Sequence, residues 1–477
     1  MSELPPCDAF VDGRWVPGSQ RFSVKDPFDD ALIAEVTDSD DAMIDAAVDA
    51  AARAFPGWKR RPGPERGRLL AQLAQRMLSA ERRLAELCTR ENGKALKESI
   101  AEVRYAASFF SWFAGEAERT YGETIPASQP GQRLTVIREP VGPAALITPW
   151  NFPYAMLTRK IGAALAAGCT IVAKPAALTP LSALALAQLA ETVGIPPGVI
   201  NIVPAADGGR AGGRLCGAAA IRKISFTGST QVGMVLMRNA AADLKRVSLE
   251  LGGNAPFVVL ADADIDAAVS GAMVAKFRNT GQSCVAANRF IVDASVADTF
   301  TTKLCASVAR LVVGRGLDPD VDIGPLVDDA SVAKVKRLLE DAIGRGAKVL
   351  LGAPPDGKTR LVAPIVLAGI TPQMQLWREE IFGPVVAIRT AADEADAIAQ
   401  ANDTEFGLVS YLYTQNGARQ IRVAEAMESG MVGVNEGLVS TPQAPFGGIK
   451  HSGMGREGSR HGIDDYSNLK YIATRIG

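Results

Sequence analysis

The sequence has only two histidines among its 477 residues, His451 and His461, and both lie in its C-terminal part. A cysteine or serine nucleophile usually needs an imidazole within hydrogen-bond reach as its base. A catalytic centre that depends on histidine is therefore disfavoured. If the chain carries a nucleophile, its base is expected to be a carboxylate.

Cysteines are few as well. The six cysteines are scattered without framework spacing, and no Cys-x-x-Cys pair occurs. This distribution argues against structural zinc and against a disulfide scaffold, and it fits free thiols in a reducing compartment. We therefore expect a cytoplasmic protein that holds no metal ion.

Long apolar runs and a one-sided charge are also missing. The longest apolar run, 161–173, is too short to span a bilayer and has a cation at each end. The first ten residues, MSELPPCDAF, lack the cationic start and apolar core of a signal peptide. The formal net charge is −1, so no basic field indicates nucleic acid or a membrane surface as a partner.

The pattern that is present is an alternation of strands and helices. Four strand–helix units, spaced by about thirty residues, follow one another from Ala144, which predicts an α/β fold with a parallel sheet. The loops at 148–152, 174–180, 204–208 and 227–230 are expected to line one ligand crevice, because ligands bind beyond the carboxyl ends of such strands. A second α/β unit is predicted after Gly253.

Outside this region the sequence predicts long helices and an extended arm. Apolar periodicity predicts helices over 40–55, 66–90 and 98–119. Residues 121–140 turn extended, the tail 445–462 is predicted to be a glycine-rich loop, and 467–476 is predicted to be a final strand.

Two glycine motifs fail the test of context. GAPPDGKT at 352–359 satisfies the P-loop pattern, but Pro354 and Pro355 remove main-chain donors and no helix is predicted to follow. GMGREG at 453–458 follows no predicted strand. A P-loop nucleotide hydrolase is therefore only a distant alternative.

A better cofactor signal is FTGSTQVG at 226–233, between a strand and a helix. Glycine allows the main chain to approach a pyrophosphate, and Ser229 begins a helix whose amides can hold it, although a simple N-cap would look the same. Lys174, at the end of the preceding unit's strand, suits a ribose or a phosphate.

The candidate nucleophile is Cys284, in the stretch KFRNTGQSCVAANR. Gly281 permits a bend before it, and the cations Lys276 and Arg278 are expected to favour its thiolate. The alternative is a free cysteine that packs as a small buried hydrophobe.

Polar residues set among apolar ones are candidates to act together with Cys284. Glu250, before two glycines, becomes a useful base if burial raises its pKa, or else is an ordinary strand-end glutamate. Asn151, between two prolines, is either an oxyanion donor or a helix N-cap. Glu379 and Glu380 are either a solvated pair or an acceptor for ribose hydroxyls.

Six motifs in this order and at these intervals resemble the aldehyde dehydrogenase superfamily: PWNFP, KPA, FTGST, LELGGN, FRNTGQSC and EEIFGP. The resemblance spans essentially the whole chain. Within the superfamily, MLTRK, ANDTEFGL, PFGGIK and SGMGREGSRHGIDDY are most similar to the succinate-semialdehyde dehydrogenases.

The resemblance implies a role for each matching position. Cys284 would be the nucleophile, Asn151 the oxyanion donor and Glu250 the base that activates water. Arg159, Arg278 and Ser440 would bind the remote carboxylate of a semialdehyde. The positions that match contacts to NAD or NADP are Thr148, Pro149, Trp150, Lys174, Ala177, Phe226, Gly228, Ser229, Leu251, Glu380 and Phe382.

Three departures from the family pattern bear on these expectations. Ser283 stands where threonine or valine is usual, and Ala286 excludes the redox-switch disulfide of some relatives. Ala177 stands where NAD-preferring relatives often carry a glutamate, so both NAD and NADP are admitted. Because both Cys284 and Glu250 are present, a catalytically silent relative is disfavoured.

The resemblance also implies the substrate and the architecture. Succinate semialdehyde is favoured, with glutarate semialdehyde and sulfolactaldehyde as alternatives, because arginines accept a carboxylate or a sulfonate. A Rossmann-type cofactor domain would comprise 1–120 and 141–251, and a catalytic domain 252–435. An arm of 121–140 and 460–477 would build a homodimer or homotetramer.

Overall fold

A computed structural model describes residues 4–476. The parts of the domain predictions that fall on residues 1–3 and on residue 477, and the first three residues of the predicted non-signal N-terminus, lie outside the described residues.

Most strands are short, and those at the centres of the two large sheets are buried on both faces. In chain order they are β1 (Ala9–Val11), β2 (Arg14–Val16), β3 (Arg21–Lys25), β4 (Leu32–Thr37), β5 (Glu123–Ile125), β6 (Gln132–Pro140), β7 (Ala144–Ile147), β8 (Ile171–Lys174), β9 (Ile200–Ile202), β10 (Lys223–Thr227), β11 (Arg246–Glu250), β12 (Ala255–Val259), β13 (Ala287–Asp293), β14 (Lys348–Leu351), β15 (Ile365–Ala368), β16 (Val385–Ala391), β17 (Phe406–Gly407), β18 (Val409–Tyr413), β19 (Met431–Val434), β20 (Ile449–Lys450), β21 (Gly453–Met454) and β22 (Ser467–Arg475).

The helices cover both main sheets. They are α1 (Asp41–Arg60), α2 (Gly63–Ser79), α3 (Glu81–Asn92), α4 (Leu96–Glu116), α5 (Ala155–Ala167), α6 (Pro180–Thr192), α7 (Gly208–Gly217), α8 (Thr230–Ala241), α9 (Ile265–Phe277), α10 (Ala297–Val308), α11 (Asp329–Gly344), α12 (Gln375–Arg378), α13 (Glu394–Asn402), α14 (Gly417–Ala426) and α15 (His461–Asp464), with 3-10 turns at Ala117–Arg119 and Arg278–Gly281.

The first large sheet contains the predicted strand–helix units and confirms the prediction of parallel strands. Its order is β2-β1-β9-β8-β7-β10-β11-β21, and β7 to β11 pair in parallel. The chain moves from β7 outward through β8 to β9, then returns to the other side of β7 for β10 and β11. The order therefore reverses between β7 and β10, and the loops after these two strands flank the expected ligand crevice.

The second large sheet follows Gly253, as predicted. Its order is β14-β15-β16-β13-β12-β18-β19, and all its neighbours except β14 and β15 pair in parallel. The first elements after β12 are α9 and the Arg278–Gly281 turn, and Cys284 follows them just before the start of β13. The candidate nucleophile therefore lies at the junction between the two sheets.

The predicted arm forms a third sheet. Its order is β22-β6-β5, and β22 pairs antiparallel with β6 from Ser467 opposite Pro140 to Arg475 opposite Gln132. Large apolar side chains on it are exposed, among them Leu469 (66%) and Tyr471 (58%). Strand pairing ties the C-terminal strand to the 121–140 segment.

Two predicted elements are wrong in detail. The single helix predicted over 66–90 is two helices that meet at Ala80, because α2 and α3 turn there to pack separately on α4. The predicted loop at 453–458 begins with β21, in which Gly453 pairs with Glu250 at the sheet edge. A Cβ at Gly453 would lie 1.9 Å from the Leu249 carbonyl oxygen, so only glycine permits this approach.

The P-loop-like stretch behaves as predicted. Residues 352–359 form an irregular turn, and the next regular element is β15 and not a helix. No helix amides are presented to a phosphate there.

Candidate active site

A cavity of about 260 Å³ opens where the two large sheets meet. The loops after β7 and β10 form one wall, and the 380–382 segment forms the other. The predicted residues that line it are Pro149, Trp150, Asn151, Gly228, Ser229, Leu251, Cys284, Glu380 and Phe382. The structure thus brings together most of the predicted cofactor positions with Cys284.

Four predicted cofactor positions lie outside this cavity. Thr148 and Phe226 are buried in or next to the strands that end at it, and Ala177 lies on the loop after β8. Lys174 ends β8, with its ammonium 2.9 Å from where a Cβ on Gly208 would be. The loops 174–180 and 204–208 therefore adjoin each other, one strand away from the point where the strand order reverses.

The β10–α8 turn has the form expected of a phosphate cradle. The Gly228 N–H donates to the Glu250 carbonyl oxygen at 3.0 Å, and a Cβ on Gly228 would lie 2.4 Å from the Phe226 ring. Ser229 caps α8 by accepting from the Val232 N–H. The start of α8 therefore borders the cavity at Ser229, and a helix N-terminus favours an anion.

The opposite wall fixes an aromatic pair over the cavity. Phe382 has φ 58°, and its ring meets that of Trp150 edge-on with centroids 5.4 Å apart. Glu380 lines the cavity and accepts from the Gly253 N–H at 3.0 Å, while burial raises the pKa of its carboxyl. Glu379 instead pairs with Arg337 on the surface. Of the acidic pair, Glu380 therefore lines the cavity and Glu379 lies on the surface.

Cys284 follows a tight left-handed turn. Asn279 and Thr280 have φ 52° and 58°, and Gly281 has φ 75°. A Cβ on Gly281 would lie 2.3 Å from the Gly383 carbonyl oxygen. The glycine-permitted bend that the sequence predicts is present, but two non-glycine residues make most of it.

The thiol of Cys284 is protonated at neutral pH in the free protein. Burial, and to a smaller extent Glu380 and Glu250, raise its pKa to about 12. The cation that opposes this most strongly is Arg159. The prediction that Lys276 and Arg278 are the cations that favour the thiolate is wrong, because Arg159 has that role.

Both of those cations are engaged elsewhere. Lys276 is buried and donates to Asn288 Oδ1 at 3.0 Å, and burial lowers its pKa to about 7. The Arg278 guanidinium lies 4.9 Å from the Phe152 ring centroid and 5.6 Å from that of Tyr105.

Asn151 is buried beside the Cys284 loop. Its Nδ2 donates to the Gln282 carbonyl oxygen at 3.1 Å, and its Oδ1 has no hydrogen-bond partner. The N-cap alternative does not hold, because α5 begins after Tyr154 and its first amides donate to Glu102 instead. The amide is therefore available at the cavity wall with one N–H still unused.

Glu250 ends β11 as a buried carboxyl. Neither of its oxygens has a hydrogen-bond partner, and Gly447 faces Oε1 closely enough that a Cβ there would lie at 2.9 Å. Burial raises its pKa well above the usual range, and the nearby Glu457 adds to the effect. An unpartnered buried carboxyl with a raised pKa is the state that a general base requires.

A second, narrow cavity begins at Cys284 and contains the three predicted substrate residues. Arg159, Arg278 and Ser440 line it together with Tyr105, Phe152, Met156, Ser283, Val285 and Phe446. Cys284 borders both cavities. The thiol therefore separates the crevice at the strand ends from a pocket that carries two guanidinium groups.

The two arginines are not equivalent. Arg159 is fully buried, forms an ion pair with Glu457 and lies 4.3 Å from the Phe446 ring centroid. Within residues 4–476 no carboxylate lies within salt-bridge distance of Arg278. Arg159 is thus compensated by an ion pair, whereas Arg278 lines the pocket without an ion pair among the described residues and its charge acts on the partly buried Glu98 carboxyl.

Several site residues escape analysis of the sequence. Ser331 and Lys334 of α11 line the first cavity, and Lys160 and Glu457 form an ion pair near Glu250. Lys334 lies on an amphipathic helix with nothing to distinguish it from a surface lysine. Glu457 lies inside the GMGREG motif, which is predicted to be a glycine-rich loop, and nothing in that pattern indicates a buried carboxylate.

Two further features, a cluster of metal ligands and a membrane-spanning helix, are absent from the described residues. Residues 4–476 contain no group of three or more His, Cys, Asp or Glu side chains arranged to hold a metal ion. No helix in the same range combines the length and apolar character that a membrane crossing needs.

The fold and cavities define a two-sheet α/β protein whose half-buried Cys284 adjoins a crevice at the point where the strand order reverses. The chain belongs to the aldehyde dehydrogenase family, whose model matches residues 15–472. It is 49% identical to a glutarate-semialdehyde dehydrogenase of Pseudomonas putida, over 98% of each chain. It is 48% identical to the NADP(+) succinate-semialdehyde dehydrogenase of Escherichia coli K12, over 97% of each.

A solved structure supports the fold in the same way. This chain superposes on the crystal structure of an NADP-dependent enzyme of E. coli with a TM-score of 0.98. The two sequences are 47% identical, and the alignment covers 100% of this chain and 99% of the E. coli chain. The predicted family and fold class are both confirmed.

Proposed function

We propose that the protein oxidises a short anionic semialdehyde to the corresponding acid with NAD or NADP. The observation that carries the proposal is the position of Cys284 between a phosphate-binding crevice and a pocket with two arginines. The names of the relatives support the same chemistry, and succinate semialdehyde is the favoured substrate. Glutarate semialdehyde and sulfolactaldehyde stay alternatives, because each carries a remote anion.

The first step is addition of the Cys284 sulfur to the aldehyde carbon. The S–C bond forms as the carbonyl π bond breaks, and the oxygen becomes an oxyanion. The Asn151 amide and the Cys284 main-chain N–H would donate to it, since preorganised donors stabilise this charge without reorganisation. The thiol must first lose its proton, and the positive charge of Arg159 favours that loss.

The residues of the first cavity fit a nicotinamide dinucleotide. The closely packed Gly228 and the capped start of α8 would hold its pyrophosphate, and Glu380 would accept from ribose hydroxyls. A nicotinamide held there would supply the acceptor for a hydride from the reacting carbon. Loss of that hydride would leave the substrate carbon bound to Cys284 as a thioester.

Hydrolysis of the thioester falls to Glu250. Its carboxylate would take a proton from a water molecule, whose oxygen attacks the thioester carbon and breaks the C–S bond. The raised pKa of Glu250 suits this task, because a base must be strong enough to accept the proton. The acid leaves, and the Cys284 thiol is regenerated.

The remote anion of the substrate would bind Arg278 and Ser440. Arg278 offers a guanidinium without a carboxylate partner, and a charge-assisted pair in this confined pocket is stronger than one in water. Arg159 would contribute a second donor while Glu457 holds it in place. The aromatic walls leave the alkyl chain of the substrate in apolar surroundings.

We further propose the predicted domain division and a homo-oligomer in the cytoplasm. Residues up to 120 and 141–251 would bind the cofactor, 252–435 would carry the nucleophile, and 121–140 with the strand after 460 would form the oligomerisation arm. Support comes from the separate sheets and from the exposed apolar side chains on the arm. Exposed sheet edges and apolar faces favour association with a partner.

The proposal is tested by steady-state kinetics on succinate, glutarate and sulfonated semialdehydes against propanal, each with NAD⁺ and NADP⁺. We expect kcat/KM for at least one anionic aldehyde to exceed that for propanal by about 10- to 100-fold, the worth of one charged hydrogen bond. Equal values for propanal and all anionic substrates would contradict the anion pocket. Absence of oxidation with every aldehyde would contradict the function itself.

A further inference from the structure

A buried lysine outside both cavities connects the helical layer to the proposed oxyanion donor. Lys94 lies between α3 and α4, and its side chain is 0% exposed. Its ammonium donates to Glu102 Oε2 and to the Asn151 carbonyl oxygen, both at 2.6 Å. It also lies 4.2 Å from the centroid of the Phe152 ring. A buried ammonium needs such compensation, and here part of it comes from the main chain of Asn151 itself.

The same carbonyl accepts a second hydrogen bond. Asn279 Nδ2 donates to the Asn151 carbonyl oxygen at 2.8 Å and to the Gln282 carbonyl oxygen at 3.1 Å. Two donors from different directions fix the peptide plane that follows Asn151. The direction in which the Asn151 side chain leaves the main chain is fixed with it.

The turn before Cys284 is held from the same segment. Glu98, near the start of α4, accepts from the Asn279 N–H at 2.7 Å. Asn279 and Thr280 are in the left-handed region, which is strained for residues other than glycine. A carboxylate that accepts a main-chain N–H makes a stronger bond than a neutral acceptor, and so offsets part of this strain.

We infer that Lys94 and Glu98 are positioning residues that align the Asn151 amide with the Cys284 thiol. Lys94 fixes the main chain of Asn151, and Glu98 fixes the turn from which Cys284 projects. The inference rests on the proposed function, because it concerns the donor and nucleophile of that reaction. Neither residue lines either of the two cavities.

A merely structural role is the competing explanation. Glu102 caps α5 by accepting from the Tyr154 and Ala155 amides, and Lys94 would then serve only to neutralise it. That role predicts loss of stability without a specific loss of the first chemical step.

Glu91 supplies a matched control. It is buried like Lys94, and its two oxygens accept from the Leu181 and Ser182 amides at 2.8 Å, so it caps α6 as Glu102 caps α5. Its recorded hydrogen bonds do not involve Asn151 or Asn279. Glu91→Gln therefore perturbs a comparable buried cap without reaching the proposed centre.

The experiment compares Lys94→Met, Glu98→Gln and Glu91→Gln in the full-length protein. The rate constant of the first-turnover burst of reduced cofactor is measured, together with cofactor affinity and thermal melting. We expect the burst to slow about 10- to 100-fold in Lys94→Met, the cost of misplacing an oxyanion donor, and measurably in Glu98→Gln. The burst of Glu91→Gln should stay within about twofold of the unmodified enzyme, and all variants should bind cofactor alike.

An unchanged burst in Lys94→Met and Glu98→Gln, or an equal loss in all three variants, would overturn the inference. If Lys94→Met does not fold, Glu98→Gln decides on the same criterion. Crystal structures give an independent readout, in which Asn151 Nδ2 should shift in Lys94→Met or Cys284 should shift in Glu98→Gln. Unshifted atoms would overturn the inference even if the unmodified protein oxidised no aldehyde, a result that would separately contradict the proposed function.

Discussion

Cys284, the proposed nucleophile, has a thiol that is largely protonated in the free protein. Burial and two carboxylates raise the pKa of its thiol, and Arg159 is the main opposing charge. The ion pair between Arg159 and Glu457 therefore lies at the centre of the electrostatics, close to both the thiol and Glu250. Reactivity should depend on what changes this balance.

The pH dependence of alkylation tests the protonation of the thiol. A pKa near 12 means that the thiolate fraction rises with pH across the accessible range, so iodoacetamide should react with Cys284 about tenfold faster for each pH unit between 7 and 9. The measurement is the rate of labelling of the free enzyme, with Cys284→Ser as the blank. A plateau that begins below pH 8 would show that the thiolate is already formed.

Arg278 and Arg159 should respond differently to substitution. Arg278→Met should raise KM for the anionic aldehyde by about 10- to 100-fold while kcat/KM for propanal changes little, because only the anion loses a charged partner. Arg159→Met should impair both substrates, since the thiol and Glu457 also lose their cation. Steady-state kinetics decide, with the exposed Arg53→Met as control.

An equal loss for anionic and neutral substrates in Arg278→Met would contradict the anchoring role of Arg278. An unchanged rate with propanal in Arg159→Met would contradict the role of Arg159 at the thiol.

The residue types at the centre could be predicted from the sequence, but their partners could not. The scarcity of histidine favours a carboxylate such as Glu250 as the base, and Gly281 predicts the bend before Cys284. The compensating charges come from far along the chain, as Glu457 does for Arg159 and Lys160. Such pairings depend on how the sheets are stacked, which no local pattern encodes. The expected roles of Lys276 and Arg278 at the thiol failed for this reason.

At the scale of elements, the β10–α8 turn is the part of the cofactor crevice most constrained by packing. Gly228 lies against the Phe226 ring, and Ser229 caps a helix of 12 residues. Loops after β7 and β10 adjoin the cavity because the strand order reverses between them.

Gly228→Ala tests this turn. The added methyl group would lie 2.4 Å from the Phe226 ring, so the turn must shift, and we expect a loss of about 1–3 kcal/mol in the free energy of unfolding and weaker cofactor binding. Gly213→Ala, within α7, is a suitable control because its Cβ meets nothing within 4 Å and alanine favours a helix. Chemical denaturation measures the stability of both variants, and titration measures their affinity for the cofactor. Equal stability and equal affinity of Gly228→Ala and Gly213→Ala would contradict the account.

Regular elements were predicted well where one pattern dominated. The alternation from Ala144 onward gave the parallel strands and their helices, because β-branched runs and helical periodicity are locally distinct. The break at Ala80 was missed because it carries no glycine or proline and arises from the packing of α2 and α3 on α4. Strand β21 was missed because two residues paired at a sheet edge leave no periodic signal.

At the scale of the whole molecule, the arm is the feature that a single chain leaves unexplained. Its sheet joins 121–140 to the C-terminal strand and exposes large apolar side chains on β22. A surface of this kind is expected to be covered by another copy of the chain.

Substitution on the arm tests the proposed homo-oligomer. Replacing both Leu469 and Tyr471 by Asp should dissociate the assembly, because two charges would then be buried without partners at the interface. Light scattering after size-exclusion chromatography measures the mass, and Ile421→Asp on α14, 65% exposed, is the control. A monomeric unmodified protein would contradict the proposal, as would an unchanged mass in the double variant.

The central claim, a covalent intermediate on Cys284 that Glu250 hydrolyses, has one direct test. Glu250→Gln is mixed with succinate semialdehyde and cofactor, and intact-mass and peptide mass spectrometry follow the protein while absorbance follows the reduced cofactor. The account predicts one equivalent of reduced cofactor and an acyl group on Cys284 that persists far longer than in the unmodified enzyme. Formation of reduced cofactor with no acyl group on Cys284 would contradict it.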